Sequence, residues 1–423
     1  MNKDANKVLM VAFHFPPQAG SSGIQRTLRF AQYLPASGWQ PLVLSAHPRA
    51  YATLSPDQMA DTDALHVTRA FALDSARHLA WRGRYLGWTA LPDRWVSWCL
   101  GAVPAGLRLI RRERPRVLWS TYPIASAHLA GAILQRLSGL PWVADLRDPM
   151  IDEVHPSGRL LRAAASWVER LTVRRAVRVV CTTPGAVRIY RGRYPEVPPE
   201  RFCLIENGYD EQEFSAAEVQ AAPAPERVPG PFVLLHSGIV YPSERDPRAL
   251  LAALATLKRE GRVDGAGLRV MLRAPVHEDL LRGLIREHGV EDMVMIAPAL
   301  SYRAALAEML AADGLLVLQA ANCNQQVPAK LYEYLRAARP LLALTDSAGD
   351  TAAALRAAGI DTIAPLDDAA QIASALLRFL ELARAGKAPL APPAVRRAHA
   401  RSSRAVQLAA LLDQVAAEAG QKR

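Results

Sequence analysis

Apolar residues recur along this chain in short runs of strand length, separated by stretches where they return every three or four positions, which predicts strands alternating with amphipathic helices. Residues 7–15, KVLMVAFHF, form a near-continuous apolar run of the kind a parallel strand covered on both faces requires, and the run stops at Pro16-Pro17. The loop QAGSSG leads into a helix whose Ile24, Leu28, Ala31 and Leu34 face inward, closed by Gly38 ahead of a strand at 41–45. The same pattern gives strands at 117–120, 142–145 and 177–182, and helices at 125–137 and 162–178. Residues 216–231 carry Pro223, Pro225, Pro229 and Pro231 with little periodicity and read as a linker. Alternation then restarts, with strands at 232–236, 268–272, 294–296, 314–319 and 341–344 and helices at 247–260, 278–287 and 303–311, before a helical tail beyond Leu366. Repeated β and α elements on both sides of a linker predict an α/β chain of two doubly wound domains, and the lack of a short repeat excludes a solenoid.

At 423 residues with 50% apolar content and a mean hydropathy near zero, the chain is long enough for two sizeable cores. The longest uncharged run, 117–135, has transmembrane length but contains Pro123, His128 and several Ser and Thr residues, so it parses as a strand followed by a helix. Four cysteines with no C-x-x-C pair and no secretory leader point away from a disulfide framework or zinc ribbon and toward a reducing cytoplasm. The net charge of +11 is unevenly placed: residues 1–205 hold 27 Lys and Arg against 14 Asp and Glu, whereas the remainder holds 24 against 26. A basic first half suits anionic lipid or a phosphorylated substrate; nucleic acid is the weakest option because no nucleic-acid-binding motif accompanies the charge.

Candidate chemistry concentrates in four places. Residues 324–346, NQQVPAKLYEYLRAARPLLALTD, read as one short helix between two buried strands: Pro328 suits its first turn, Leu331, Tyr334, Leu335 and Ala338 recur at helical spacing, and Pro340 stops it. Lys330 and Glu333 then share one face near the helix N-terminus, where anions are favoured. On spacing alone they are either a solvated pair worth about 0.2–0.5 kcal/mol or groups placed for a ligand. In the first half, the QAGSSG loop offers backbone N–H groups at a helix N-terminus, or is only a tight turn. Asp145, Arg147 and Asp148 fall at the carboxyl end of a parallel strand, where open α/β sheets place ligands, or they cap a turn. From 76 to 116 the chain is rich in Trp and Arg, which suits either an interfacial helix on anionic lipid or a helix packing its tryptophans inward. The Asp61-Thr62-Asp63 triplet follows no apolar strand and reads as incidental rather than as a metal motif.

The stretch VPAKLYEYLRAARPLLAL resembles the nucleotide-sugar-binding segment of family 4 glycosyltransferases. The QAGSSG loop, the DLRDP stretch at 145–149 and the I-x-N-G-Y-D turn at 205–210 with its following Phe214 are similar to that family's N-terminal domain in the same order. The resemblance implies GT-B architecture, two doubly wound Rossmann-like domains facing across a cleft. It implies an acceptor-binding domain at 1–215, the linker at 216–231, a nucleotide-sugar-binding domain at 232–400, and a helix at 401–423 that crosses back to the first domain. Glu333 takes the family's ribose-binding position. Gln325, eight residues earlier, stands where many members have a second glutamate at the donor sugar. Gly238 with Arg245 resembles the diphosphate-binding loop, with Lys330 as a second cation. Gly20 and Gly23 take the donor-loop positions, and Asp145, Arg147 and Asp148 the acceptor side; Asp148, Arg245 and Lys330 are the residues implied in catalysis. No metal and no cofactor are implied beyond the nucleotide-sugar co-substrate. The implied activity is retaining transfer of a hexose to a hydroxyl acceptor, a lipid-linked glycan in cell-surface polysaccharide assembly, by a cytoplasmic protein peripheral to the inner face of the membrane. A nucleotide-sugar 2-epimerase of the same fold and a non-catalytic partner in a membrane biosynthetic complex are the competing readings.

Overall fold

The computed structural model describes residues 6–18, 23–54, 62–152, 156–220 and 230–421. The chain divides into two compact units, Met1–Asn207 with Arg401–Arg423, and Gly208–Ala400.

The first unit is built on a seven-stranded sheet, β1 (Asn6–Val11), β2 (Trp39–Ala46), β3 (His66–Ala70), β4 (Val117–Thr121), β5 (Trp142–Arg147), β6 (Arg178–Cys181) and β7 (Phe202–Leu204), in the order β3-β2-β1-β4-β5-β6-β7. Every pairing is parallel. Both faces are covered, which explains the continuous apolar runs. Val8, Met10, Val43, Trp119 and Val143 point to one face, against Leu28 and Ala31 of helix Gly23–Tyr33 and Leu408, Leu412 and Val415 of helix Arg401–Gln421. Leu9, Val11, Leu42, Leu44 and Leu118 point to the other, against helices Trp98–Glu113, Ala125–Ser138 and Arg159–Arg175. The C-terminal helix is fixed further by Trp39 Nε1, which donates to Asp413 Oδ1 at 2.9 Å.

The second unit repeats the plan with six parallel strands, β8 (Phe232–Ser237), β9 (Leu268–Arg273), β10 (Val294–Ala297), β11 (Gly314–Gln319), β12 (Leu341–Thr345) and β13 (Ile363–Ala364), in the order β10-β9-β8-β11-β12-β13. Leu234, Leu316, Leu318, Leu342 and Leu344 meet helices Arg248–Arg259, Glu278–His288 and Ala369–Arg384. Leu235, Leu315, Val317, Leu341 and Ala343 meet helices Tyr302–Ala311 and Lys330–Ala337 and, through Phe214 and Ala217, helix Glu211–Gln220.

Several boundaries differ from the sequence reading. β1 ends at Val11 instead of running to 15, because the chain bends off the sheet before Pro16-Pro17. Residues 216–220, expected to open the linker, instead end the helix Glu211–Gln220, held to helix Lys330–Ala337 by Arg336, whose guanidinium bonds Glu211 and Glu218 and lies 5.0 Å from the Phe214 ring. Residues 221–229 lie outside the described residues. Pro328 falls before the helix, not in its first turn, since regular α geometry starts at Lys330 after Ala329 as N-cap. The four cysteines are free thiols.

Candidate functional site

In the second unit the chemistry gathers where β8 leaves the sheet. β8 is flanked by β9 and β11, so its carboxyl end is the point where strand order reverses, the place open α/β sheets leave for ligands. Gly238 follows the strand with φ +112°, a conformation that side-chain-bearing residues rarely adopt. A Cβ there would lie 3.1 Å from Lys330 Nζ, so the missing side chain leaves the backbone open beneath an amine.

Helix Lys330–Ala337 delivers that amine. Leu331, Tyr332, Tyr334 and Leu335 are buried, and the Tyr334 hydroxyl accepts from the Ser237 N–H at 2.8 Å, which docks the helix on the end of β8. His236, the penultimate residue of β8, is fully enclosed. Its Nδ1 lies 2.9 Å from the Leu316 carbonyl and donates to it, leaving the Nε2 lone pair to accept from Lys330 Nζ at 3.1 Å. Burial and the neighbouring Lys330 charge hold the imidazole well below its ordinary pKa, so it is neutral and acts as an acceptor. Burial, then Arg245, pushes the Lys330 amine down to about 7, with Glu333 acting the other way. Arg245 donates from Nη1 to the Ile239 carbonyl at 2.7 Å and stacks 5.4 Å from the Tyr241 ring, which places the second cation beside the Gly238 turn. One turn beyond Lys330, Glu333 accepts from the Tyr302 hydroxyl at 2.8 Å. The helix's early amides contribute less than the sequence reading supposes, because the Leu331 and Tyr332 N–H groups bond the carbonyls of Pro328 and Ala329. Gln325 is exposed in the loop between β11 and the helix.

In the first unit Gly20 lies outside the described residues, and Gly23 is buried at the start of its helix. Asp145, Arg147 and Asp148 do lie together at the carboxyl end of β5, but they differ sharply in exposure. Asp145 is completely buried: its oxygens accept from Arg26 Nη2 at 2.9 Å, Arg26 Nε at 3.1 Å and Thr121 Oγ1 at 2.8 Å. Arg26 also donates to the carbonyls of Ile205 and Glu206, so this carboxylate is the centre of an internal joint between β5, the first helix and the end of the unit. Arg147 has φ +63° and is turned inward, donating to the Gly23 carbonyl at 2.8 Å. Asp148 alone is exposed, with Oδ1 accepting from Thr182 Oγ1 at 3.1 Å. The sequence reading did not single out His14, which follows β1; burial and Arg147 push its imidazole down to about 4, so it is neutral at physiological pH. His236 and Tyr302 were likewise missed. An isolated histidine inside an apolar strand carries no sequence signal for a partner 94 positions away.

Among the described residues no group of three His, Cys, Asp or Glu side chains could hold a metal ion, and Asp63 is exposed while Asp61 lies outside the described residues. No helix among them is long and apolar enough to cross a membrane.

Residues 22–208 match the family described as "Glycosyl transferase 4-like domain". The chain matches no curated protein. Solved structures with a similar fold include the N-terminal domain of trehalose-6-phosphate phosphatase from Candida albicans (TM-score 0.65, 11% identity, covering 97% of each chain). HepE of Anabaena in complex with UDP is similar at TM-score 0.60 and 15% identity, over 98% of this chain and 99% of that one. Sucrose-phosphate synthase from Thermosynechococcus elongatus is similar at TM-score 0.59 and 15% identity, over 98% of both. These likenesses establish the fold, two Rossmann-like units of the GT-B class.

Proposed function

We propose that this chain, whose fold is that of GT-B glycosyltransferases and whose first unit carries a glycosyl transferase 4-like domain, moves a sugar from a nucleoside diphosphate sugar to a hydroxyl acceptor. One observation carries the reading: Lys330 Nζ stands over the Gly238 backbone, with Arg245 on the same turn and Glu333 one helical turn further on. In the proposed reaction the bond from the sugar C1 to the β-phosphate oxygen breaks, a bond from C1 to the acceptor oxygen forms, and the acceptor's hydroxyl proton passes to the departing diphosphate. The negative charge that develops on that leaving group is received by Lys330 and Arg245, fixed in place before the reaction begins. Gly238 gives the diphosphate a close approach, Glu333 accepts hydrogen bonds from the ribose hydroxyls, and Gln325 offers an amide to the donor sugar. Asp148, the exposed carboxylate of its loop, orients the acceptor hydroxyl; Asp145 and Arg147 hold the loop from within, and Gly20 and Gly23 belong to the donor loop. UDP bound to HepE supports a uridine nucleotide as the first donor class to try.

The acceptor we propose is a lipid-linked glycan of cell-surface polysaccharide, reached by a cytoplasmic protein peripheral to the membrane, and transfer retains the anomeric configuration; proton NMR of the product's anomeric signal tests retention. Gln325, in place of an acidic residue, favours as second reading a catalytically weak partner in a biosynthetic complex. Donor turnover measured with and without acceptor separates the two.

Glu333→Gln tests the core of the proposal. Its carboxylate accepting from the ribose predicts a loss of about 1.5–3 kcal/mol in nucleotide affinity, on the order of tenfold or more, by calorimetric titration with UDP and other nucleoside diphosphates. The Tyr302 hydroxyl can still bond an amide oxygen, so thermal stability should move by only a few tenths of a kcal/mol. Unchanged affinity across the nucleotides would remove the ribose role and with it the donor assignment.

A further inference from the structure

The two readings left open for the Trp- and Arg-rich segment are resolved differently along its length. Trp98 is fully buried and Trp95 packs partly buried on the same core, so the second part, helix Trp98–Glu113, is ordinary core architecture. The first part is not. Every residue from 81 to 88 is exposed, Trp81 by 79% and Trp88 by 71%, with Leu79, Tyr85 and Leu86 exposed beside them.

This exposure is built by the backbone. Arg82 and Gly83 take φ values of +49° and +77°, the two central positions of a tight hairpin turn, and the Trp81 and Arg84 backbones exchange hydrogen bonds of 2.7 and 3.0 Å. Leu86 then leads into the single turn Gly87–Ala90, which presents Trp88. The base of the segment is tied down, with Ser75 Oγ donating to the Thr89 carbonyl at 2.6 Å and the Ser75 N–H to the Arg94 carbonyl at 2.8 Å. Two tryptophans, a tyrosine and two leucines are thus held out on a fixed tip together with Arg82 and Arg84, and the sequence has no acidic residue between Asp74 and Asp93.

We propose that the 79–88 tip is a docking element for an anionic lipid bilayer. The rings of Trp81, Trp88 and Tyr85 would lie at headgroup depth, Leu79 and Leu86 would reach the acyl boundary, and Arg82 and Arg84 would meet lipid phosphates. Charge and size both favour a membrane over a protein. The tip is cationic, with no acidic residue in the sequence between Asp74 and Asp93, and ten residues fall well short of the roughly 20–30 per side of a stable protein interface, whereas a bilayer needs only shallow insertion. The proposal deepens the membrane position taken for the acceptor reaction and rests on it for context, but its test reads binding directly.

The experiment is partition of the full chain onto vesicles of phosphatidylcholine with and without phosphatidylglycerol, with brominated acyl chains as a quencher of tryptophan emission. The wild type should bind the anionic vesicles, lose affinity as salt rises, and be quenched. Trp81→Ser combined with Trp88→Ser should lower the partition on the order of tenfold at every salt concentration and remove the quenching. Arg82→Gln with Arg84→Gln should lower binding mainly at low salt. Both variants should keep the wild-type melting temperature and nucleotide affinity. Wild-type binding that fails, that is equal on neutral and anionic vesicles, or that survives the tryptophan substitutions overturns the proposal. So does a concentration-dependent dimer, seen by sedimentation velocity, that the tryptophan substitutions abolish. Donor turnover on a soluble acceptor, run in parallel, fails only if the catalytic reading is wrong.

Discussion

Lys330→Met is expected to lower turnover of a nucleoside diphosphate sugar by about 10²–10³ while the protein stays folded, an effect the size of removing one fixed donor from a developing anion. Methionine keeps the stem's length and apolar contacts, so what is lost is the charge above Gly238. Three arrangements make that charge hard to replace: the glycine that clears the space, the His236 Nε2 that holds the amine from the other side, and the short helix docked through Tyr334. Arg245 remains beside the turn, which is why the loss stops short of complete. The same amine sets a pH dependence. Its pKa near 7 in the folded, unliganded protein lies below that of an unfolded lysine, so the unfolded chain holds more protons between about pH 7 and 10.4 and stability contributed at this site rises with pH across that window. Diphosphate binding runs the opposite way: it prefers the ammonium, so affinity should fall as pH rises through 7 and binding should take up protons there. Calorimetric titration in two buffers of different ionisation enthalpy measures that uptake. Lys330→Met should abolish it, and an uptake that survives the substitution would place the titrating group elsewhere.

The sequence carried the second-unit site further than the first-unit one, for a physical reason. Lys330, Glu333 and the helix that carries them are local: two positions, three residues apart, on one eight-residue element, bounded by Pro328 and Pro340, between two strands whose burial on both faces makes them unmistakable apolar runs. Gly238 and Arg245 lie on one loop leaving one strand. The features that were not legible are pairings between distant positions. Strand β3, His66–Ala70, is an edge strand of intermediate burial, so HVTRA carries no continuous apolar signal. Residues 216–220, the second half of helix Glu211–Gln220, looked like the start of a linker because the helix's anchors, Arg336 and Arg303, are contributed from 90 or more positions away. The hairpin at 81–84 needs Arg82 in a left-handed conformation, which composition rich in Trp and Arg does not announce. His236 and Tyr302 gain meaning only once the helix is docked. Asp145 is the sharpest case: a carboxylate at the end of a parallel strand suggests ligand chemistry, but the residue that determines its role is Arg26, 119 positions earlier.

That pair makes the largest stability prediction. Arg26 and Asp145 form a two-bond fork with neither side chain meaningfully exposed, at 6% and 0%. Burial alone would raise the carboxyl's pKa; Arg26, Arg147 and Thr121 outweigh it and hold it below the ordinary carboxylate value. Removing one partner from such a pair leaves the other as an uncompensated buried charge, which typically costs about 3–5 kcal/mol. Asp145→Ala should therefore lower unfolding stability by about that amount in urea, with a loss of order in the 205–207 segment that Arg26 holds through its carbonyls. Asp145→Asn keeps the shape and one acceptor oxygen but loses the charge, and should fall between wild type and Asp145→Ala. Replacing both partners, with Arg26→Met added to Asp145→Ala, should recover part of the loss, because Arg26 is no longer left as an unpaired buried charge, while Arg147, whose Nε lies 3.6 Å from Asp145 Oδ2, keeps the recovery incomplete. The pH dependence has a fixed sign: with the folded pKa depressed, the pair's stabilisation is complete above the unfolded value of about 3.9 and is lost as pH falls through the lower folded value, so acid sensitivity below about pH 4 should be flatter in the double variant. A contact made mainly with an acceptor would behave differently. Asp145→Ala would then leave the urea midpoint near wild type and raise the KM for acceptor, and that pattern would show the buried pair to be incidental to the fold.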